Sequence, residues 1–411
     1  MSSRFRTGTS GLSRDLNRTA ILRLIGSSPP IARASIARRL GLSPATVTSI
    51  TRELIESGLV RVAERAPSGG GRPALLLELV GGAAGALGVK IAPDHMVGVT
   101  VDLDGVVYRR FEEQADLTSH KALDTLVDVL GRWLDEIGER AKLLGVGLGV
   151  PGVVDRERGS VTAPLMGWSD LPLRTRLQGE LRAPVLIDND VNTLAVAESL
   201  YGRGRGAESF VAVTLGRGVG LGIVAGGDIY HGFGGGAGEF GHVTADPNGP
   251  LCTCGKQGCL EALVADPALV AQARKERVIG RAGSIDTLRR KAAGGNTGAL
   301  KIFDRAGELL GRHVAGLVNI LCPQLVLVSG EGTESWPYLA NAFERALRSN
   351  LFPPFRDVAV EVDPWDDGKW AIGAAAIVLR STFTPLVDGR EDELATRAWL
   401  RPDSRLTEEV A

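Results

Sequence analysis

Three cysteines and one histidine in the middle of the chain have the types and spacing of a metal site. Cys252, Cys254 and Cys259 fall within eight residues, and His242 precedes the first of them by ten. Zinc prefers thiolate and imidazole ligands, and four protein ligands close its tetrahedral shell without leaving a position for a catalytic water. The pattern therefore predicts one structural Zn²⁺ at these four residues and argues against metal-assisted hydrolysis.

Cysteine usage and hydropathy indicate the cellular compartment of the protein. The chain of 411 residues has 4 cysteines, too few and too clustered for a disulfide framework. The fourth, Cys322, lies in the apolar run 318–328 and is expected to be buried. The start of the chain is polar and rich in arginine, and no apolar stretch is long enough to span a bilayer. We expect a cytoplasmic protein with no membrane partner.

Charge divides the chain into two parts. Residues 1–79 contain 12 arginines, no lysine and 5 acidic residues, a net charge of +7, whereas the remainder carries −8. A basic head on an acidic body is typical of nucleic-acid binding, although a solvated basic face would give the same balance. The local pattern has to decide between the two interpretations.

The head has the pattern of a helix-turn-helix. A helix is expected over 17–25, a second over 35–40 ending at Gly41, and a third from Ser43-Pro44, where the serine supplies a cap and the proline suits the first turn. Val47, Ile50 and Leu54 then face inward. The second helix of such a motif enters the major groove by its N-terminal half. The residues predicted to face DNA there are Ala45, Thr46, Thr48, Ser49 and Arg52.

Two short apolar runs, 59–62 and 74–77, predict a hairpin behind these helices. Between them lies a glycine-rich segment with Arg72, thin and cationic enough to enter a minor groove. A plain glycine-rich linker is the alternative. Beside a helix-turn-helix at +7, a wing is favoured, so residues 1–80 are predicted to be a winged helix-turn-helix that binds double-stranded DNA.

The body alternates strands, glycine-rich turns and helices. Strands are expected at 86–91, 96–101, 106–111, 144–150, 185–187 and 211–215, with a long helix over 123–144. Polar loops follow several strands, as at the ligand-binding edge of an open sheet. The pattern predicts an α/β body over 83–382, followed by a polar tail at 383–411.

Five motifs in this body occur in an order that resembles the ROK family, named for repressors, open reading frames and kinases. The motifs are Pro151-Gly152-Val153-Val154-Asp155, Asn189-Asp190-Val191-Asn192, Glu239-Phe240-Gly241-His242, the cysteine cluster and Cys259-Leu260-Glu261. The resemblance implies an actin-like, two-lobed sugar-kinase fold.

The resemblance also implies a sugar site. Its residues would be Asn189, Asp190, Glu239, His242 and Glu261, with Asp190 standing where the kinases keep a general base. The hydroxyl groups around a hexose need hydrogen-bond acceptors and donors in fixed directions, and carboxylates and carboxamides supply both. Asp190 also stands before an expected helix over 191–201 and is able to cap it. The expected effector is a sugar or a sugar phosphate.

The two loops that hold ATP phosphates in ROK kinases are altered here. The first reads Lys90-Ile91-Ala92-Pro93-Asp94, so a lysine replaces the acid and both glycines are gone, and the second contains Arg217 in place of a hydroxyl residue. Phosphoryl transfer depends on positioned metal and phosphates, so no catalytic residues are assigned. A sugar-responsive DNA-binding regulator, acting as a repressor of carbohydrate genes, is favoured over a kinase with an added domain or a regulator controlled by a protein partner.

One helix-turn-helix reads too few base pairs for useful specificity. We therefore expect a homodimer or homotetramer on an operator that is an inverted repeat.

Overall fold

The computed structural model describes residues 10–27, 29–65, 75–138, 143–364 and 366–383. Two parts of the sequence prediction, the wing tip with Arg72 and the polar tail from residue 384 onward, lie outside these residues. No helix in the described part of the chain is both long and apolar enough to cross a membrane.

The head consists of three helices and a small antiparallel sheet. Its elements are α1 (Ser10–Ser27), β1 (Ile31–Ala32), α2 (Arg33–Leu40), α3 (Pro44–Glu56), β2 (Val60–Arg65) and β3 (Leu75–Leu79). The sheet order is β1-β3-β2, with β3 antiparallel to both neighbours. The predicted hairpin corresponds to β2 and β3. The two-residue strand β1 was not predicted, because two residues carry no periodicity.

Local signals position α3. Gly41 adopts the left-handed conformation at the end of α2 (φ 64°), which turns the chain. The side chain of Ser43 then accepts a hydrogen bond from the backbone N–H of Thr46 at 3.1 Å, and Pro44 occupies the first helical turn. Val47, Ile50 and Leu54 are buried, so the opposite face of α3 is exposed.

The first lobe is built on a five-stranded mixed sheet. Its elements are β4 (Gly85–Ile91), β5 (His95–Asp102), β6 (Val107–Gln114), α4 (Ala122–Ile137), β7 (Leu143–Val150), β8 (Val153–Asp155), β9 (Ser160–Ala163), β10 (Trp168–Leu171), α5 (Leu173–Leu181) and β11 (Val185–Asn189). The main sheet has the order β11-β7-β4-β5-β6, and β8 to β10 form a smaller sheet. A core that includes α4 and α5 covers one face of the main sheet.

The second lobe repeats the five-stranded arrangement. Two helices lie between the lobes, α6 (Asp190–Tyr201) and α12 (Asp367–Phe383). The elements of the second lobe itself are β12 (Ser209–Leu215), β13 (Val219–Ala225), β14 (Asp228–Ile229), α7 (Glu261–Val264), α8 (Asp266–Lys275), α9 (Ile285–Ala293), α10 (Thr297–Leu321), β15 (Leu325–Ser329), α11 (Trp336–Asn350) and β16 (Ala359–Val362). The sheet order is β14-β13-β12-β15-β16.

Helices α6 and α12 lie between the two sheets and pack on each other. α12 lies on β4, β5 and β7 of the first lobe, while α6 contacts β12 and β13 of the second. The approach of α12 is close: a Cβ on Gly147 of β7 would lie 1.8 Å from the carbonyl oxygen of Ala374. A glycine is therefore required at this crossing, and α12 is fixed against the first sheet.

Two sequence expectations about the body are wrong. The helix predicted over 123–144 ends at Ile137, because Gly138 has a positive φ of 68° and Leu143 and Leu144 already belong to β7. Cys322 is exposed instead of buried: it follows α10 as its C-cap in the left-handed conformation, so it points out of the apolar run that surrounds it in sequence.

Candidate functional site

The exposed face of α3 contains the residues predicted to face DNA. Ala45, Thr48, Ser49 and Arg52 are exposed and Thr46 is half-buried. The Thr48 hydroxyl donates to the carbonyl oxygen of Pro44 at 2.7 Å, which orients its methyl and its lone pairs.

A buried contact holds α2 against α3. Arg33 donates from Nε to the hydroxyl of Thr51 at 2.7 Å, and Thr51 is fully buried. Behind the helices, Arg61 of β2 pairs with Glu78 of β3 at 2.7 Å. These contacts hold α3 in place, so the head exposes one face of α3 with small, polar side chains.

His242, Cys252, Cys254 and Cys259 come together as predicted. Their ligand atoms all lie within 4.8 Å of one another. The Cys254 and Cys259 sulfurs are 3.6 Å apart, as are the Cys252 sulfur and His242 Nδ1. Tetrahedral zinc with thiolate ligands has edges of about 3.8 Å. The donor set and its spacing therefore fit Zn²⁺.

The loop around this cluster is tightly folded. Lys256 donates from Nζ to the carbonyl oxygen of His242 at 2.7 Å, and an isolated antiparallel β-bridge pairs the backbones of Thr244 and Cys259. Burial, followed by the neighbouring sulfurs, raises the pKa of Cys259 to about 12. A bound Zn²⁺ would stabilise the thiolate form of this side chain.

Asn189 and Asp190 lie where β11 of the first lobe meets α6. The side-chain oxygen of Asn189 accepts hydrogen bonds from the backbone N–H groups of Val191 and Asn192, so Asn189 is the N-cap. Asp190, the first residue of the helix, also accepts a hydrogen bond from the N–H of Val191, at 3.0 Å. The side-chain amide of Asn189 donates to the carbonyl oxygen of Gly152 at 3.0 Å. Asn189 is thus held in place by the helix start and by the turn after β7.

Asp190 is a carboxyl group under strong desolvation. Burial raises its pKa to about 6, against the opposing positive charge of Lys90. A carboxyl group of this kind readily exchanges its few protein partners for the hydroxyl of a ligand.

Asp188 forms a network that sequence reasoning did not find. Its carboxylate accepts hydrogen bonds from Asn192 Nδ2 at 3.0 Å and from His231 Nε2 at 2.8 Å, and Arg156 Nε lies 3.8 Å away. Burial opposes the negative charge, but the hydrogen bond and charge of His231 and the charge of Arg156 outweigh it, so the pKa of Asp188 is lowered. His231 belongs to the second lobe, so this network joins the lobes beside Asn189.

The other three residues predicted to bind the sugar lie in the second lobe. His242 directs Nδ1 to the cysteines and Nε2 towards the carboxylate of Glu239, 3.7 Å away. Glu261, the first residue of α7, accepts a hydrogen bond from the backbone N–H of Val219 at 3.1 Å. The five residues are therefore divided between the lobes, with Asn189 and Asp190 in one and Glu239, His242 and Glu261 in the other.

The loops altered relative to ROK kinases are filled by protein groups. The Glu331 carboxylate accepts a hydrogen bond from the backbone N–H of Arg217 at 2.9 Å, and a Cβ on Gly216 would lie 2.1 Å from its Cδ. In the first lobe, Lys90 Nζ lies 2.5 Å from Asp367 Oδ1 and 4.7 Å from the ring centre of Trp370, both in α12. Glu331 was not singled out from the sequence, because nothing near it identifies its partner.

Comparison with known proteins gives a consistent result. A model described as winged helix-turn-helix DNA-binding matches residues 14–61. The DNA-binding transcriptional dual regulator NagC of Escherichia coli K12 and the N-acetylglucosamine repressor of E. coli O6:H1 are each 30% identical over 390 residues, 92% of this chain and 96% of those proteins. The xylose repressor of Bacillus subtilis is 28% identical over 375 residues, 89% of this chain and 95% of that one.

Solved structures agree on the fold. A ROK family transcriptional regulator, a homolog of the E. coli MLC protein, superposes with a TM-score of 0.81 at 23% identity, covering 95% of this chain and 99% of that one. A ROK glucokinase from Streptomyces griseus in complex with glucose and AMPPNP covers 72% of this chain and 99% of its own at 26% identity, with a TM-score of 0.62. The ROK family model itself matches residues 86–381, well over half of the sequence. This chain belongs to the ROK family, and it carries a winged helix-turn-helix in front of the ROK body.

Proposed function

We propose that this protein is a transcription regulator, acting as a repressor of carbohydrate genes, whose affinity for an operator changes when a sugar or sugar phosphate binds between its lobes. The observation that carries the proposal is the combination of an exposed, polar α3 with a sugar-kinase fold whose second phosphate loop is covered by Glu331. The names of the xylose repressor and the N-acetylglucosamine repressor support the same function.

The DNA contacts are assigned by exposure and position. Ala45, Thr46, Thr48, Ser49 and Arg52 of α3 would read base edges in the major groove, and Arg72 would contact the minor groove or its phosphates. In the same proposal, the chain acts as a homodimer or homotetramer on an inverted repeat, because paired heads read two half-sites.

The effector would lie between Asn189 and Asp190 on one side and Glu239, His242 and Glu261 on the other. Carboxylates accept hydrogen bonds from sugar hydroxyls, and His242 Nε2 is directed away from the cysteines towards Glu239. N-acetylglucosamine and xylose, from the names of the relatives, are the first sugars to test.

Zinc is proposed as a structural ion. His242 Nδ1 and the sulfurs of Cys252, Cys254 and Cys259 would hold it, and when bound it would neutralise the thiolates and fix the loop between Glu239 and Glu261. The residues around it orient His242 through Lys256 and leave its Nε2 edge for the effector.

Kinase activity is not part of the proposal. A carboxylate placed against the backbone of a phosphate loop repels phosphate and occupies the N–H that would bind it. The space that nucleotide phosphates need is further reduced by the Arg217 side chain, which crosses to Asp94 of the first lobe.

Selection of genomic fragments by the full-length protein, followed by footprinting with and without a sugar panel, tests the proposal. We expect protection of an inverted repeat and a change in operator affinity with one sugar or its phosphate ester. In a coupled kinase assay of the same protein, formation of ADP and sugar phosphate from ATP and a sugar, without DNA binding, would establish the kinase alternative. Operator binding that no sugar changes would point to control by a partner protein.

A further inference from the structure

An ion pair joins the two lobes where nucleotide phosphates lie in a ROK kinase. Arg217, in the turn between β12 and β13 of the second lobe, directs both terminal nitrogens to Asp94, in the turn between β4 and β5 of the first, at 3.0–3.3 Å. Arg217 replaces the hydroxyl residue of the kinase loop and Asp94 lies in the altered first loop. Two substitutions that remove phosphate binding thus create a contact between lobes.

The pair continues into a chain of polar contacts that ends on α12. Asp94 Oδ1 lies 2.8 Å from His95 Nδ1, and His95 Nε2 lies 3.5 Å from Asp367 Oδ2. The other oxygen of Asp367 binds Lys90. Asp367 is the first residue of α12. A carboxylate at this end of a helix is stabilised by the helix dipole. The N-terminus of α12 is thus linked, through His95, to the carboxylate that pairs with Arg217.

Helix α12 also carries the contact with the head. Ala371, Ala375, Val378 and Leu379 belong to one continuous apolar cluster with residues of the head, among them Ile21 and Ile25 of α1. α1 contacts α12 directly. A movement of α12 relative to the first sheet would therefore move α1, because packed side chains in a continuous core shift together.

We propose that Arg217 and Asp94 form an interlobe clamp which, through His95 and Asp367, sets the position of α12 and of the DNA-binding head. The former nucleotide cleft has thereby become part of the regulatory path. The clamp favours the closed arrangement of the lobes, and a sugar that also favours closure binds more tightly while the clamp is formed. This last step rests on the proposed function.

The clamp is a weak interaction, and its expected effects are correspondingly small. Both side chains are about half exposed, at 51% and 58%. Exposed ion pairs change an equilibrium by at most about fivefold. Such a contact adjusts the balance between two arrangements without locking either of them.

Hydrogen–deuterium exchange on the full-length chain without any ligand tests whether the ion pair restrains the two turns and the start of α12. The variants are Arg217→Ala, Asp94→Ala and the double variant, with Arg312→Ala as matched control. Arg312 pairs with Glu308 inside α10, and the two side chains are 53% and 55% exposed. Arg312→Ala therefore removes an ion pair of similar exposure that lies within one lobe.

We expect exchange to become roughly two- to fivefold faster over residues 91–95 and 366–372 in each single variant. The double variant should exchange no faster than Asp94→Ala, because that single variant already loses the contacts of Asp94 with both Arg217 and His95. Unchanged exchange, additive effects, or an equal effect of Arg312→Ala would overturn the clamp.

Titration with glucose, xylose, N-acetylglucosamine and their phosphate esters, followed by operator binding, tests the regulatory part. If the wild type responds, the Arg217 and Asp94 variants should need about two- to fivefold more of the same sugar. A wild-type response that both variants retain at unchanged concentration would overturn the regulatory role. A wild type that responds to none of these sugars would count against the proposed function, while the exchange result would still decide the clamp.

Discussion

Two acidic residues on either side of Asn189 differ in how their charge is compensated. Asp188 faces His231, Asn192 and Arg156, and its pKa is lowered. Asp190, two residues on, is half-buried, and desolvation outweighs the charge of Lys90 and the N–H of Val191, so its pKa is raised to about 6. The charge of Asp188 is therefore compensated within the protein, whereas that of Asp190 is compensated only in part.

Replacing Asp190 by asparagine should make the ligand-free protein more stable. The folded state holds the proton more tightly than the unfolded state, where the pKa is near 3.8, so stability is lost as the pH rises from about 3.8 to about 6. At pH 7 the charged form costs about 1–3 kcal/mol, and the uncharged amide removes this cost. Denaturant unfolding at pH 7 measures the gain.

Asp188→Asn is the matched control, with the opposite sign. It removes the partner of His231 and Arg156 and should destabilise the protein by about 1–3 kcal/mol. If both substitutions lowered stability equally, the assignment of an uncompensated charge to Asp190 would be wrong.

Sugar binding should weaken when the pH falls through about 6. Protonation of Asp190 removes an acceptor for a sugar hydroxyl, so affinity is highest above its pKa and falls below it. Calorimetric titration with the responsive sugar between pH 5 and 8 measures this step. Asp190→Asn should bind more weakly throughout and show no step near pH 6; a step that persisted in this variant would have to belong to another group.

Among the elements, those specified by neighbouring residues were predictable from sequence. Gly41, Ser43 and Pro44 mark the turn and the start of α3 within four residues, and the four metal ligands lie within one loop. Contacts between distant residues were not predictable: Glu331 meets Arg217 across 114 positions and Arg217 meets Asp94 across 123. Such pairs depend on how the sheets stack, which no local pattern records.

Within the zinc loop, Cys254→Ser should release the metal and loosen both ends of the loop. We expect about one zinc per wild-type chain, much less in the variant, and a melting temperature lower by roughly 5–10 °C, as for a loss of a few kcal/mol in a domain of this size. Sugar response should decline as well, because Glu239 and Glu261 flank the loop. Metal analysis and thermal unfolding measure these effects.

Cys322→Ser provides the control for loss of a thiol, since Cys322 is exposed at the end of α10, outside the cluster. It should keep its zinc and its melting temperature. A fully folded, responsive Cys254→Ser protein without metal would contradict the site.

Helix α3 and the wing should contribute differently to DNA binding. Thr48→Ala and Arg52→Ala should relax sequence choice, at about 1–3 kcal/mol per lost base contact, because both lie on the exposed face of α3. Arg72→Ala should weaken binding to all sequences and reduce its salt dependence. Selection of random DNA by each variant measures the difference, and an unchanged sequence preference in both α3 variants would remove α3 from base recognition.

At the scale of the whole molecule, the head is packed onto the body and is not a separate module on a linker. Ile21, Ile25 and Leu77 of the head share an apolar cluster with Val97 of β5 and Val378 of α12. Because the head cannot turn freely, the spacing between two heads in an oligomer depends on the arrangement of the bodies. A change between the lobes can then alter DNA binding without any change in α3.

The last prediction follows from this rigid attachment. Two heads fixed on paired bodies fit two half-sites only at one spacing, near one or more helical turns of DNA, so the operator should be an inverted repeat and the bound species at least a dimer. Inserting five base pairs between the half-sites turns them to opposite faces of the duplex and should reduce affinity by about 100-fold or more, whereas inserting ten should restore most of it. Sedimentation of the complex with each DNA measures both stoichiometry and affinity. A flexible linker would tolerate both insertions equally, and a monomer bound to an asymmetric site would show that one head suffices.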